Sequence, residues 1–166
     1  FVATMDALRR RVESEPGVQG VTFVDRLPRD MHREDVIDVA TLPELEAHEV
    51  SLAFVEPSYF DVLGAPVRAG RAFTAADMGP GAQVVIVDDG FVETVMRGRN
   101  PIGHQVWFSE GGTADPNAPD RRLYEIVGLV DLVARAKWLR ELRLHDDHEA
   151  AARLGGGALV GVHPLR

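Results

Sequence analysis

The sequence predicts an α+β fold built from short helices and short strands. Three observations carry this. Val2, Met5, Leu8 and Val12 recur at the three- and four-residue spacing of a helix over residues 1–15. Glu49 to Val55 alternates apolar and polar positions, and Val84 to Val87 is an unbroken apolar run between turn signals; both mark strands. Pro and Gly pairs then punctuate the chain at Pro16-Gly17, Gly79-Pro80-Gly81 and Asn100-Pro101.

Taken in order, the first helix stops at Glu15-Pro16-Gly17, because Pro16 disfavours helix in the residue before it and Gly17 permits the turn. Val18 to Val24 is expected as a strand on the strength of Val21 and Phe23. Residues 25–48 are polar and irregular, with Val36, Ile37 and Val39 as a short edge strand. Pro57 suits the first position of a helix, and Tyr59, Phe60, Val62 and Leu63 supply a short buried turn that Gly64 closes. Thr74-x-x-Asp77 resembles a capping box with Asp in place of Glu.

After the strand at Val84–Val87, Asp88 or Asp89 caps a helix with Phe91, Val92, Val95 and Met96 as its apolar stripe. Gly98 and Asn100-Pro101 end that helix. Ile102–Phe108 and Leu123–Val130 read as strands around a loop, Glu110 to Asp120. Asp131–Leu154 is charged and Ala/Leu-rich, hence mostly helical, and Gly155-Gly156-Gly157 precedes a last strand from Ala158 to His163.

The bulk numbers bound the function. The 166 residues suffice for one core or two small lobes sharing one. A net charge of −8 repels phosphate backbones and anionic lipid headgroups, which argues against nucleic acid as a partner. Cysteine is absent, so there is neither a disulfide framework nor a thiolate metal site. No apolar run approaches the ~20 residues needed to span a bilayer. The chain begins at Phe1 and reads as an excised domain, so this says little about a parent protein.

Catalytic and ligand patterns are thin. His145 and His148, spaced i, i+3 among Asp146, Asp147 and Glu149, are weak metal candidates; a charged helix surface is the plainer account. The carboxylate pairs Glu34-Asp35, Asp88-Asp89 and Asp146-Asp147 are sequence neighbours, and neighbours do not face each other across a substrate. No serine sits in a G-x-S-x-G context, and there is no G-x-x-x-x-G-K-[ST] phosphate loop. No cofactor is expected. Trp107, Phe108 and Trp138 are candidates for a partner surface, with burial in the core as the alternative.

One ordered series stands out: Val50-Ser51-Leu52-Ala53-Phe54-Val55-Glu56-Pro57, then Gly70-Arg71-Ala72-Phe73 with Asp77, then Val84–Asp89, Asn100-Pro101-Ile102-Gly103 and Tyr124–Val130. No piece is a catalytic motif. Their order and spacing resemble the MacB-like periplasmic core domain of ABC transporter permeases, the broader family of FtsX and lipoprotein-release permeases. The opening helix, Pro16-Gly17-Val18 turn and strand resemble the first half of that domain, and Ala158–Arg166 resembles its end more faintly. Two departures follow Val130. Asp131-Leu132-Val133-Ala134-Arg135 stands where the family has Gly or Ala and then Asp-Val-Arg, and Arg140–Arg153 is unlike the family's pattern.

The resemblance implies a two-lobed plan with mixed sheets: a porter-like βαβ lobe at 1–68 plus 156–166, and an inserted, smaller α/β lobe at 69–155. It implies a non-catalytic domain outside the membrane that transmits ATP-driven conformational change in efflux or release. The ATPase would be a separate cytoplasmic domain or subunit, and the outside partner a periplasmic adaptor or cargo protein. The parent permease would be dimeric and the isolated domain monomeric. Two other classes stay open: an extracytoplasmic module binding peptide or lipoprotein, and a soluble α/β hydrolase. Termini together on one side favour the first reading, an exposed apolar groove the second, and a deep pocket joining Asp and His the third.

Overall fold

The computed structural model of the chain describes residues 2–24, 33–79, 81–109, 122–131 and 158–161. The elements, in order, are helix α1 (Val2–Glu13), strands β1 (Arg33–Val39) and β2 (His48–Phe54), helix α2 (Tyr59–Leu63) and strand β3 (Val67–Gly70). A 3₁₀ turn (Ala75–Met78), β4 (Val84–Asp88), α3 (Asp89–Thr94), β5 (Gln105–Ser109), β6 (Leu123–Val130) and β7 (Ala158–Gly161) follow.

The strands form one mixed sheet, ordered β3-β6-β4-β7-β2-β1-β5, with a further pairing of β6 to β5. That last pairing closes the sheet. β6, β4, β7, β2, β1 and β5 form a ring, and β3 lies outside it on the C-terminal half of β6. The β2–β7 and β4–β6 pairs are parallel and the others antiparallel. The α+β class and the mixed sheet therefore match the expectation from sequence. Strands from both expected segments share this one sheet, and β3 runs across the 68/69 division.

The central strands are buried on both faces, as alternate side chains show. Val50 and Leu52 of β2, Val85 and Val87 of β4 and Ile126 of β6 join Ile37, Val39, Val106 and the α3 side of the molecule in one apolar cluster. Ala53, Ile86, Val127 and Val130 point the other way, onto Tyr59, Phe60 and Phe73. The Phe60 and Phe73 rings lie 6.1 Å apart, and Tyr59 meets Phe60 edge-on at 5.3 Å. Thus α2 and the residues after β3 cover one face of the sheet.

Two glycines allow β3 to cross β6 closely. Gly70 has φ +72, and a Cβ there would lie 2.1 Å from the Val127 carbonyl oxygen; a Cβ on Gly128 would lie 2.4 Å from that of Arg71. Arg71 N–H then donates to Val127 O at 2.8 Å.

Several expectations need correction. Residues 18–23 form no strand; beside Val55 only Val24 makes a β-bridge, because the chain here lies along α2 and the end of β2 without entering a ladder. β1 is not an edge strand. It is flanked by β2 and β5, which is why Ile37 and Val39 are fully buried. Pro57 precedes the α2 cap, Ser58, because a turn from Glu56 O to Tyr59 N–H comes first. Helix α3 stops at Thr94, sooner than Gly98, and the chain turns through Arg97 at φ 53. Gly64 closes α2 in the left-handed conformation, as expected. The Glu110–Asp120 loop and the helix over 132–154 lie outside the described residues.

Candidate functional site at the mouth of the ring

The first and last described elements both reach the C-terminal end of β2. β7 runs parallel to β2 and ends with Gly161 beside Phe54. Two residues on, Glu56 accepts hydrogen bonds from Arg9 Nη2 of α1 at 2.6 Å to each carboxylate oxygen. The backbone N–H of Phe23 donates to the same carboxylate at 3.2 Å, and Glu56 N–H donates back to Phe23 O at 3.3 Å. The Arg9 guanidinium also stands 5.2 Å from the centre of the Phe23 ring. Glu56 is thus a junction for α1, the segment after it and β2.

The segment that delivers Phe23 is held alongside α2. Val24 bridges Val55, Ser58 Oγ reaches Thr22 Oγ1 at 3.4 Å, and Gly20 sits against the Val62 methyl groups. In the sequence Arg9 lies off the apolar stripe of the first helix and Glu56 just beyond the Glu49–Val55 strand. No linear signal connects two residues 47 positions apart.

The other end of β2 has its own polar cluster. There β1 leaves and β5 enters, with Ala40 N–H donating to Gln105 O at 2.8 Å. Thr41 Oγ1 and His104 Nδ1 lie 2.7 Å apart, and Arg99 Nη1 donates to Glu44 Oε1 at 2.5 Å. The Arg99 hydrogen bond holds the Glu44 carboxyl below the usual carboxylate range. Both members of that pair are exposed.

The buried acids serve the fold. Asp88 caps α3 by accepting from Phe91 N–H at 2.9 Å. Asp77 accepts from Arg71 Nη1 and Nη2 at 2.7 and 2.9 Å and from Thr74 N–H at 2.7 Å, completing the capping box read from the sequence. The Arg71 hydrogen bonds, aided by the Thr74 N–H and opposed by burial, bring Asp77 down to about 2, and they raise Arg71 in return. Asp35 is buried and accepts from Val36 N–H at 3.0 Å.

Of the candidate partner-surface aromatics, Trp107 takes the core alternative: it is 3% exposed, because β5 is flanked by β1 and β6 and inserts it into the protein. Phe108 is half-buried and packs edge-on against Tyr124 at 5.2 Å. Trp138, His145 and His148 lie outside the described residues. Among the described residues no group of three or more His, Asp or Glu is placed to hold a metal ion, and no helix is long and apolar enough to cross a membrane.

Comparison with known families matches residues 3–138 to the MacB-like periplasmic core domain. The chain belongs to that family. Its fold is similar to the periplasmic region of MacB from Actinobacillus actinomycetemcomitans, at TM-score 0.52 and 20% identity, covering 76% of this chain and 50% of that one. It is similar to the extracellular domain of the noncanonic ABC-type transporter YknZ from Gram-positive bacteria, at TM-score 0.53 and 17% identity, over 91% and 58% of the two chains. A domain of a putative permease protein from Porphyromonas gingivalis gives 0.53 and 12% identity, over 93% and 55%. The chain therefore spans half to three-fifths of these domains. No curated protein matches by sequence.

Proposed function

We propose that this MacB-like core domain is the extracytoplasmic part of an ABC permease and passes ATP-driven conformational change to a partner outside the membrane. The observation that carries the reading is that α1 and β7 both reach one end of β2. A domain with its first and last elements on one side can be pushed from that side as a body. Membrane helices would attach there, a cytoplasmic ATPase would act through them, and an adaptor or cargo protein would meet the domain elsewhere. The parent would be dimeric and the isolated domain monomeric.

The division into segments 1–68 plus 156–166 and 69–155 is proposed as two parts of one body. The β4–β7 and β1–β5 ladders join them, so independent motion would have to break two sets of main-chain hydrogen bonds. A force applied at β2 would then reach the Thr41–His104 end without loss through a hinge.

The test is a distance measurement in the reconstituted parent permease with its ATPase. Spin labels on an exposed residue near Glu44 and on the membrane-embedded part report the domain's position. ATP should shift that distance, while two labels within the ring, on β1 and β6 surfaces, should keep theirs. An unchanged first distance in a complex that hydrolyses ATP would sink the reading. Exposed Leu8, Val18 and Val62 favour a second reading, a module binding an apolar peptide or lipoprotein segment. Saturable binding of an acylated peptide to the isolated chain would support it.

A further inference from the structure

Among the described residues, helix α1 is attached to the ring by very little. Leu8 is 47% exposed, Met5 and Val12 are only half-buried, and no strand or helix packs broadly on α1 among the described residues. Among those residues the hydrogen bonds and ion pairs joining α1 to the sheet all run through Arg9. A helix of 12 residues is marginal by itself in water, so its order depends on what holds it.

The hold has an unusual form. A single nitrogen, Arg9 Nη2, reaches both Glu56 oxygens, and Arg9 Nε is buried with no hydrogen-bond partner. A side-on fork through Nε and Nη2 would use two nitrogens and satisfy the Nε–H. Releasing Arg9 would therefore give up one ion pair and one ring contact, while it returns a buried N–H to water. Glu56 would keep its two main-chain links to Phe23, so residues 20–24 and β2 would remain in place.

We propose that α1 is a latched arm. Glu56 holds it closed against the mouth of the ring through Arg9, and the arm swings free as a unit while the ring stays folded. The hinge is the turn at residues 14–17, where Gly17 takes φ +89 with open space around it. Gly20 onward is pinned to α2 and cannot serve. The latch stands on the geometry of this chain and does not require the transport reading.

Amide hydrogen exchange on the 166-residue chain tests it, with Arg9→Ala and Glu56→Gln beside the parent sequence. Alanine is the better helix former, so faster exchange in Arg9→Ala cannot come from propensity. Amides of residues 6–13 should exchange about three- to fivefold faster in both variants. Amides of β2, β4 and β6 should stay within about twofold of the parent rate, and the melting temperature should fall by no more than a few degrees. Unchanged α1 exchange in Arg9→Ala would overturn the latch. So would loss of protection throughout the sheet, which would make the pair part of the fold's foundation.

Discussion

Two arginine–carboxylate pairs in this domain look alike and differ in kind. Arg71 and Asp77 are six residues apart, joined as a two-nitrogen fork on a carboxylate that is 9% exposed and also caps a 3₁₀ turn. Arg9 and Glu56 are 47 residues apart, joined through one nitrogen, and the arginine keeps a buried donor unsatisfied. The first pair fastens a turn to the strand crossing beside it. The second fastens a whole helix to a ring that is complete without it. A contact's effect on global stability depends on how much other structure already enforces it, and the two pairs lie at opposite ends of that scale.

The largest effect should come from the crossing on which the first pair is built. Gly70→Ala puts a methyl group 2.1 Å from Val127 O at a positive φ, so β3 must leave β6. Chemical denaturation should show a loss of about 3 kcal/mol or more, or no folded protein.

Next is the fork itself. Asp77→Asn should cost about 1–3 kcal/mol, since it leaves the Arg71 fork without its charged partner. The pH dependence has a definite sign. Asp77 lies near 2 in the folded chain against an ordinary 3.8, so its contribution is fully present above about pH 4 and disappears as pH falls towards 2. Because Arg71 is half-exposed, solvent screening trims this to about 1–2 kcal/mol. Stability measured between pH 5 and 2 should fall less steeply in Asp77→Asn than in the parent.

Arg9→Ala should lower global stability by less than about 1 kcal/mol, since the pair is partly exposed, while it loosens α1. A loss as large as that of Asp77→Asn would erase the contrast between the two pairs. Smallest of all, Arg99→Ala at the far end of β2 should leave the melting temperature unchanged, because both it and Glu44 are exposed.

The Asp77 side of the first pair was legible in the chain, and its pairing with Arg71 was not. Thr74 and Asp77 have capping-box spacing, Gly70-Arg71 marks a turn, and Phe73 is apolar between them. The apolar run Val84–Val87 and the Asp88 cap follow from the same local physics, in which a buried strand must be apolar and a helix start wants an oxygen. Leu123–Val130 was bounded correctly as a strand for the same reason. Elsewhere local pattern was a poor guide. Val18–Val24 carries β-formers and makes only one bridge, because strand formation needs a neighbour with free main-chain groups, and β2 offers its edges to β1 and β7. The sequence left Trp107 between partner surface and core because the closure of β5 onto β6 cannot be read from either strand alone.

The sequence by itself determined the α+β class, the element types over most of residues 49–130, the Thr74–Asp77 cap and the family. All of these rest on spacings of a few residues or on an ordered series of them. The tertiary structure alone decided that β1 is central, that β6 is shared by three strands, and that Glu56 gathers α1 and Phe23 at the end of the ring. The reason is physical. Helix periodicity and capping act within a turn or two of chain, whereas strand partners and ion pairs far apart in the chain are chosen by which surfaces remain unburied once the core has formed.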